Sequence, residues 1–278
     1  MAVRVLGHLQ APASLKALVA VLLIGGFSPL LLAQGTFVNK DPETGETICD
    51  YDINADCRLL LQNRNKVERS PKESGPIDLT GYWMSVITED WRWRVLTPPK
   101  GDVASLPLNV EGMRAANEWD PNDVGSCKPF GAAGLMRNPT RVRFQWEDEN
   151  TLIAETDHGV QTRRFQFGAT PPGPEHPHSL QGFSVASWGA SGLKVETSHL
   201  SAGYLRKNGV PYSEGAKLTE YYNVYTAFDE TWLTITTIVE DPKYLTRTFN
   251  TSLDFKKLED DSDWNPTPCQ AVAIVGSE

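Results

Sequence analysis

Several common functional signatures are missing from this chain of 278 residues. Its four cysteines include no C-x-x-C pair, the spacing typical of structural zinc sites and redox motifs. No glycine-rich phosphate loop and no alternation of strands and helices is visible, which disfavours a nucleotide cofactor. No Gly-x-Ser-x-Gly elbow is present either, which disfavours a hydrolase with an activated serine. We therefore expect neither a cofactor nor a bound metal.

Basic residues are also scarce relative to acidic ones. The chain has 26 Lys and Arg against 35 Asp and Glu, a formal net charge of −9. Affinity for nucleic acids comes mainly from basic side chains that neutralise phosphates. Nucleic acid is therefore not an expected partner.

Long apolar runs are absent except near the beginning of the chain, over residues 17–33. Arg4 and Lys16 precede this run, as expected of a secretory signal. Ala33 and Gly35 stand in an A-x-G spacing, so we predict a signal peptide over residues 1–35. An uncleaved anchor is the alternative, although two glycines and a proline interrupt the run. No transmembrane segment is expected after signal removal, and the predicted location is the periplasm or the extracellular medium.

The four cysteines are predicted to form disulfides, because their number is even and the expected compartment is oxidising. Cys49 and Cys57 are close together in a polar arm predicted over residues 36–76. A bridge between them would leave Cys127 and Cys269 to connect the early part of the main domain to its C-terminal part. Three pairings are possible, and this one is the natural choice.

What the chain does contain, from Gly81 onward, is a hydrophobic pattern of period two. In the segment 141–147, Val142, Phe144 and Trp146 share one face and polar residues share the other. Similar patterns recur at 151–157, 160–167, 192–200, 218–226, 231–241 and 245–258. The sequence thus predicts an all-β domain over residues 77–278, built as an antiparallel meander.

One short helix is predicted within this β domain. Asn109 can cap it, and it extends from Val110 to Trp119. About ten strands must protect their edges, and closure into a barrel achieves this. We therefore predict a barrel that can enclose a small ligand, with a two-sheet β-sandwich as the alternative.

Several segments also resemble a known group of proteins. They are Gly81–Trp83 with the alternating segment Trp91–Arg94, which we predict to be a strand, Thr97–Asp102, Trp119–Pro121 with Cys127, Gln181–Trp188, Tyr204–Gly209, Val239–Pro242 and Trp264–Cys269. Together they resemble an uncharacterised family of secreted bacterial β-rich proteins with a lipocalin-like architecture. The resemblance covers most of the chain and implies a barrel and a secreted location, without an activity. Related chains carry His where this one has Phe183, and Glu directly after the position of Trp188.

Two acid–base candidates follow from the strand pattern. Glu220 shares a strand face with Leu218 and Tyr222, and an inward carboxylate needs a partner or a shifted pKa. Arg92 or Arg94 is the expected partner, and these arginines could stabilise developing negative charge. In the opposite register, Glu220 would lie in solvent. The second candidate is His158, which follows two acidic residues and could take part in proton transfer.

The aromatic residues suggest a ligand site. We expect the barrel cavity to be lined by Trp91, Trp93, Trp188, Tyr204 and Tyr222. The leading hypothesis is a secreted protein that binds an apolar or aromatic small molecule. The alternative is a cofactor-independent lyase, isomerase, cyclase or dehydratase in the same cavity. A structural protein with a filled core is a third possibility, and the sequence does not indicate an oligomeric state.

The first testable prediction concerns the cysteine pairing. Non-reducing peptide mapping of the secreted protein should recover Cys49 linked to Cys57 and Cys127 linked to Cys269. Four free thiols, or any exchanged pairing, would contradict it.

Overall fold

A computed structural model describes residues 69–122 and 127–269, together with the backbone of residues 39–40 and 47–48. The chain divides into two compact units, Met1–Lys66 and Val67–Glu278. In the first unit, strands β1 (Asn39–Lys40) and β2 (Thr47–Ile48) pair in an antiparallel manner. The predicted signal peptide, Cys49 and Cys57 lie outside the described residues.

The second unit is built mainly from strands. These are β3 (Gly81–Val86), β4 (Arg141–Trp146), β5 (Thr151–Thr156), β6 (His158–Gly159), β7 (Gln161–Phe167), β8 (Phe183–Trp188), β9 (Leu193–Ser198), β10 (Gly203–Arg206), β11 (Val210–Tyr212), β12 (Lys217–Ala227), β13 (Glu230–Glu240), β14 (Phe249–Lys257) and β15 (Thr267–Pro268). Nine of them form one closed barrel in the order β12-β13-β14-β3-β4-β5-β7-β8-β9, with β9 pairing back onto β12. The predicted all-β barrel is confirmed, and the alternative of a two-sheet sandwich is wrong.

The barrel departs from a pure antiparallel meander at one point. Strands β7 and β8 are parallel, with Phe165 opposite Ser184 and Phe167 opposite Ala186. Strand directions can alternate around a closed ring only if the number of strands is even. A barrel of nine strands must therefore contain at least one parallel pair. The connection over residues 168–182 supplies it by returning the chain to the barrel end where β7 began.

Alternation of inward and outward side chains explains how the strands close around a core. On β4, Val142 and Phe144 are buried, as their spacing predicts. Strands β12 and β13 form a long hairpin whose two connecting residues, Phe228 and Asp229, have φ values of 55° and 59°. Two consecutive residues with positive φ match the twist of paired strands, which fixes the register of this hairpin.

Large side chains fill the barrel interior. Its largest apolar residues, each at most 1% exposed, are Trp83, Phe144, Phe165, Tyr222 and Phe255. Burial of a side chain of this size contributes about 1.5–3 kcal/mol to folding. The interior core is therefore a major source of the stability of the unit.

One end of the barrel, which we call the capped end, is covered by a second apolar cluster. Leu218, Val239 and Phe249 lie at the same level on three neighbouring strands. Residues of the β10–β11 hairpin, including Leu205 and Tyr212, pack on them. The hairpin and the connection between β3 and β4 therefore close this end.

Four short α-helices, rather than the single predicted one, occur in the described residues. They are α1 (Pro71–Ser74), α2 (Trp91–Arg94), α3 (Val110–Glu118) and α4 (Ala132–Leu135), with a 3-10 turn at Lys128–Phe130. Helix α3 confirms the expected helix, and the Asn109 side chain accepts a hydrogen bond from the Gly112 backbone N–H at 2.9 Å. Among the described residues, no helix has the length and apolar character needed to cross a membrane.

Helix α2 corrects an expectation, because the sequence pattern placed Trp91–Arg94 in a strand. The preceding residue, Asp90, has a φ of 53° and turns the chain sharply. Trp91 is then 62% exposed while Arg94 is 1% exposed. Exposure does not alternate along Trp91–Arg94, because Trp91 and Arg92 are both exposed, and the segment is a helical turn rather than a strand.

The predicted bridge between Cys127 and Cys269 is present. The two cysteines are 142 residues apart in sequence and pack with Phe130 and Leu135. Beside them, β15 adds to β6 as a parallel pair. The bridge thus fixes the last described residues to the segment that precedes β4.

Loss of this bridge should destabilise the protein, because it closes a long loop in the unfolded chain. The double variant Cys127→Ser/Cys269→Ser should lose about 4–5 kcal/mol of unfolding free energy. Urea denaturation of the two oxidised proteins measures the difference. A change below about 1 kcal/mol would contradict a stabilising role for the bridge.

Candidate functional site

A salt bridge lies inside the barrel between Arg163 of β7 and Glu220 of β12. Both side chains are fully buried. The two guanidinium nitrogens of Arg163, Nη1 and Nη2, donate to the two carboxylate oxygens at 2.9 and 2.6 Å. Nη2 also contacts the Thr197 hydroxyl at 3.2 Å, and that hydroxyl is 2.8 Å from the Ser184 hydroxyl. This is a two-point pairing within a polar network.

Glu220 therefore faces the interior, as one of the two predicted registers required. Tyr221 and Tyr225 on the alternate face are 39% and 43% exposed, so the opposite register is wrong. The partner, however, is Arg163 and neither Arg92 nor Arg94. The reason is alternation on β7, where Arg163 and Phe165 are buried and the intervening residue is exposed.

The ion pair fixes the protonation states of Arg163 and of the neighbouring Tyr222. Burial alone would lower the pKa of Arg163, but the combined attraction of Glu220 and Tyr222 raises that pKa above its ordinary value. Burial, followed by the negative charge of Glu220, raises the pKa of the Tyr222 hydroxyl well above its ordinary range. Arg163 thus remains a cation and Tyr222 a neutral phenol at physiological pH. The catalytic role of Glu220 stays a prediction.

His158 lies in a cleft of about 270 Å³ beside Thr140, Asp157 and Asn265. Its ring meets the Phe130 ring edge to face at 5.5 Å. Burial, and then the positive charge of Lys207, lower the pKa of His158, and Asp157 opposes them. The imidazole is therefore neutral near pH 7.

Asp157 is an acceptor for backbone and arginine groups rather than a partner of the imidazole ring. One of its oxygens, Oδ1, accepts from the Arg141 and His158 backbone N–H groups, each at 2.8 Å or less. Its other oxygen accepts from Arg141 Nη1 at 3.0 Å. Among the described hydrogen bonds, none joins Asp157 to the His158 ring. Proton transfer by His158 stays a prediction.

Arg92 and Trp93, two of the predicted site residues on helix α2, both contact Asp102. Asp102 accepts hydrogen bonds from Arg92 Nη2 at 2.8 Å and from Trp93 Nε1 at 3.1 Å. Arg94, at the end of α2, forms an ion pair with Glu89. Trp91 projects outward and is mostly exposed.

The remaining predicted ligand residues do not share one cavity. Tyr222 contacts Phe144 and Phe165 in the barrel interior. Tyr204 lies on β10, with the Lys128 ammonium group 5.5 Å from its ring centre. Trp188 lies at the opposite end of the barrel from the capped end. The structure thus distributes these aromatics over three regions.

Trp188 is part of an aromatic cluster that we call the aromatic end, formed by Trp146, Phe167 and Trp188. The ring centre of Phe167 lies 5.5 Å from the ring centre of Trp146 and 5.1 Å from that of Trp188. Trp188 Nε1 donates to the Pro71 carbonyl oxygen at 2.7 Å, which fixes the orientation of its ring. All three rings are half-buried and pack against the barrel core.

A cleft of about 260 Å³ opens at the aromatic end. Trp146, Trp188 and Leu152 form its barrel side, and the segment over residues 75–79 forms its other side. Lys72 and Asp78 add polar groups to the rim. A flat apolar molecule can stack against such a surface and still meet a charged group.

Near the start of β8, the ring of His199 contacts the rings of two other histidines, His176 and His178. The rings of His176 and His178 each lie 5.3 Å from that of His199. The Nδ1 of His178 and the Nε2 of His199 donate to backbone carbonyl oxygens, so neither of these two nitrogens has a free lone pair. Within residues 69–122 and 127–269, no group of three or more His, Cys, Asp or Glu side chains is arranged to hold a metal ion.

Comparisons with known proteins leave the site to be interpreted from its geometry. No family model, no curated protein and no solved structure matches the chain.

Sequence reasoning overlooked several residues that the structure places at these sites. One is Arg163, which lies two residues before Phe165 on β7. This spacing places both side chains on the inward face and could have identified Arg163 as a partner of Glu220. Arg137 and Arg206, both buried, lie in segments without strand periodicity. Nothing in the local pattern separates them from surface arginines.

Breaking the interior ion pair should destabilise the protein strongly. Glu220→Gln leaves the Arg163 cation buried without an anion, so the free energy of unfolding should fall by about 3–5 kcal/mol. The matched control is Glu147→Gln, which removes the partner of the exposed Arg164 and should cost about 1 kcal/mol or less.

Urea denaturation measures both changes. The double variant Arg163→Met/Glu220→Leu should recover most of the loss, because it replaces both charges with apolar groups. Equal stability of the two single variants would contradict a dominant role for the buried pair.

Proposed function

We propose that the protein is a secreted binding protein whose ligand, an apolar or aromatic small molecule, occupies the cleft at the aromatic end. The observation that carries this proposal is the cluster of Trp146, Phe167 and Trp188 beside that cleft. Half-buried aromatic rings in mutual contact offer a large apolar surface at a low entropic cost. Their position against an opening leaves part of that surface for a ligand.

The filled barrel interior supports a site at the mouth rather than deep inside. Trp83, Phe144 and Phe255 occupy the interior together with the Arg163–Glu220 pair. A lipocalin-like barrel encloses its ligand in the interior. In the protein proposed here, the ligand would instead lie across the end of the barrel.

The size and composition of the cleft favour a ligand of one or two rings. Its volume of about 260 Å³ is slightly below the range of about 300–1,000 Å³ usual for sites of drug-sized ligands. Ile77 and Leu79 provide apolar contacts from the segment opposite Trp146. Lys72 is half exposed and could meet one polar group of the ligand.

The secreted location is part of the proposal. Disulfides persist in oxidising compartments and are rare in the cytosol. The Cys127–Cys269 bridge supports export, in agreement with the apolar run and basic residues near the beginning of the sequence.

The test is a fluorescence titration with N-phenyl-1-naphthylamine, a neutral aromatic probe. Trp188→Ala should weaken its binding by about tenfold or more, because a stacking contact of about 1.5 kcal/mol is lost. Trp264→Ala is the matched control, since Trp264 is a partly buried tryptophan that contacts Tyr82 and does not line the cleft.

Thermal melting of both variants separates binding from folding. Equal probe affinity in Trp188→Ala and Trp264→Ala, with intact folding of both, would reject the aromatic end as the site. Absence of probe binding to the unchanged protein would reject the proposed function itself.

A further inference from the structure

Three arginines near the capped end are almost completely removed from solvent. Arg94 of α2 is 1% exposed, Arg137 after α4 is 5% exposed, and Arg206 of β10 is 4% exposed. Arginine stays charged in proteins, and a buried charge requires an opposite charge or a full set of hydrogen bonds. Each of these three side chains should therefore have an ion pair or a full set of hydrogen bonds.

Arg94 and Arg137 have incomplete sets of partners. Arg94 pairs with Glu89, and its Nε donates to the Arg137 carbonyl oxygen at 3.1 Å. Arg137 Nη2 lies 3.2 Å from an Asp90 carboxylate oxygen. Among the described residues, Arg94 Nη2 and Arg137 Nη1 are buried and have no hydrogen-bond partner.

Arg206 is the least satisfied of the three. Its guanidinium lies 4.5 Å from the centre of the Trp93 ring, a cation–π contact. Within the part of the chain that the structure describes, it forms no ion pair, and its buried Nε and Nη1 have no hydrogen-bond partner. Buried polar groups are nearly always paired, so two unpaired donors on one side chain require an explanation.

Arg137 is in electrostatic range of both Arg94 and Arg206. Burial, and then the positive charge of Arg137, lower the pKa of Arg206 to about 10. Burial is also the main cause that lowers the pKa of Arg94, and Arg137 contributes to it. Asp90 opposes the shift at all three arginines, which places it in electrostatic range of each.

The direct ion pairs do not include all three arginines. Within the described residues, Glu89 pairs with Arg94 and Asp90 pairs with Arg137. Asp254 raises the pKa of Arg94, and Asp102, which is engaged by Arg92 and Trp93, raises that of Arg206, but neither carboxylate pairs with these arginines. The surface arginines differ from this group. Arg164, for example, is 55% exposed and pairs with Glu147 through both Nε and Nη2. Among the described residues, Arg206 therefore lacks a paired carboxylate, and four buried guanidinium nitrogens of the three arginines lack a hydrogen-bond partner.

We propose that Arg94, Arg137 and Arg206 form a binding site for a small oxyanion, either a phosphate or a carboxylate group. The planar fork of arginine matches two oxygens of either group, and such pairs combine charge with two directed hydrogen bonds. The side chains of Glu89 and Asp90 are 38% and 35% exposed, so the acidic edge of the site meets solvent. The oxyanion supplies the anionic partner that Arg206 lacks, and its oxygens accept from the unpaired donors.

This arginine site is separate from the proposed aromatic ligand site. It is formed by α2, the segment after α4 and β10, whereas the cleft at the aromatic end is lined by Trp146, Trp188 and residues near α1. The two proposals share no residue. Either can fail without affecting the other.

The test measures anion binding to the full chain with its Cys127–Cys269 bridge oxidised. Sodium phosphate and sodium acetate are titrated separately at constant ionic strength, with sodium chloride as the reference salt, and binding is followed by calorimetry and by thermal melting. We expect a saturable rise in melting temperature with phosphate or acetate and none with chloride. A response to phosphate alone assigns a tetrahedral ligand group, and a response to acetate alone assigns a carboxylate.

The decisive variant is Arg206→Met, which retains a long side chain over Trp93 but removes the charge and the donors. It should bind the anion at least about tenfold more weakly. Its melting temperature in chloride should equal or exceed that of the unchanged protein, because an unpaired buried cation is removed. Arg164→Met is the matched control and should leave anion binding unchanged.

A second variant keeps the proposal testable if Arg206→Met does not fold. Arg206→Lys retains the charge but removes the planar fork, so it should weaken anion binding while the protein remains folded. Three outcomes would overturn the proposal. They are no saturable response to either anion, an equal response to chloride, and unchanged affinity in every folded Arg206 variant.

Discussion

The salt bridge between Arg163 and Glu220 is the constraint on which the barrel interior depends. It joins β7 to β12, two strands that are not neighbours in the ring, and both of its charges are remote from water. Separation of the pair would leave an uncompensated charge in an apolar environment, at a cost of about 3–5 kcal/mol. The inward faces of the two strands are therefore held in one relative position.

The rest of the interior is arranged around this pair. Thr197 extends the polar network to β9, and Ser184 extends it to β8. On the other side, Phe165 and Tyr222 place their rings in contact at 5.5 Å. A buried polar network next to close-packed aromatic rings restricts the arrangement of the interior more than apolar packing alone. The result is a barrel whose centre is occupied by its own side chains.

Because side chains fill the barrel interior, the two proposed ligand sites lie at the ends of the barrel. At the aromatic end, half-buried rings adjoin an open cleft. At the capped end, Arg94, Arg137 and Arg206 concentrate positive charge under a layer of helices and the β10–β11 hairpin. This contrast follows from topology, since the long connection between β3 and β4 lies at one end only. An apolar ligand and an anionic ligand would thus have separate places on one small unit.

Local patterns in the sequence determined much of this protein. Period-two alternation predicted strands such as β4, Asn109 predicted helix α3, and the number of strands predicted closure. These features depend on residues close together in the chain, which is why they can be read there. The same reasoning failed at Trp91–Arg94, because the chain turns at Asp90 into a helical turn and the local alternation of Trp and Arg does not reveal that turn. The inward face of Glu220 followed from its own strand, but its partner Arg163 is 57 residues away.

Only the tertiary structure decided which side chains meet. Closure brought β7 and β12 to facing positions, and the cap brought Arg94, Arg137 and Arg206 together from three separate segments. Neither encounter has a signature in local periodicity, since each depends on strand register and loop path across long sequence separations. The sequence by itself determined a β-barrel with an even number of cysteines and one well-capped helix. Packing then decided that the barrel is filled, and that the cluster of Trp146, Phe167 and Trp188 lies at the opposite end from Arg94, Arg137 and Arg206.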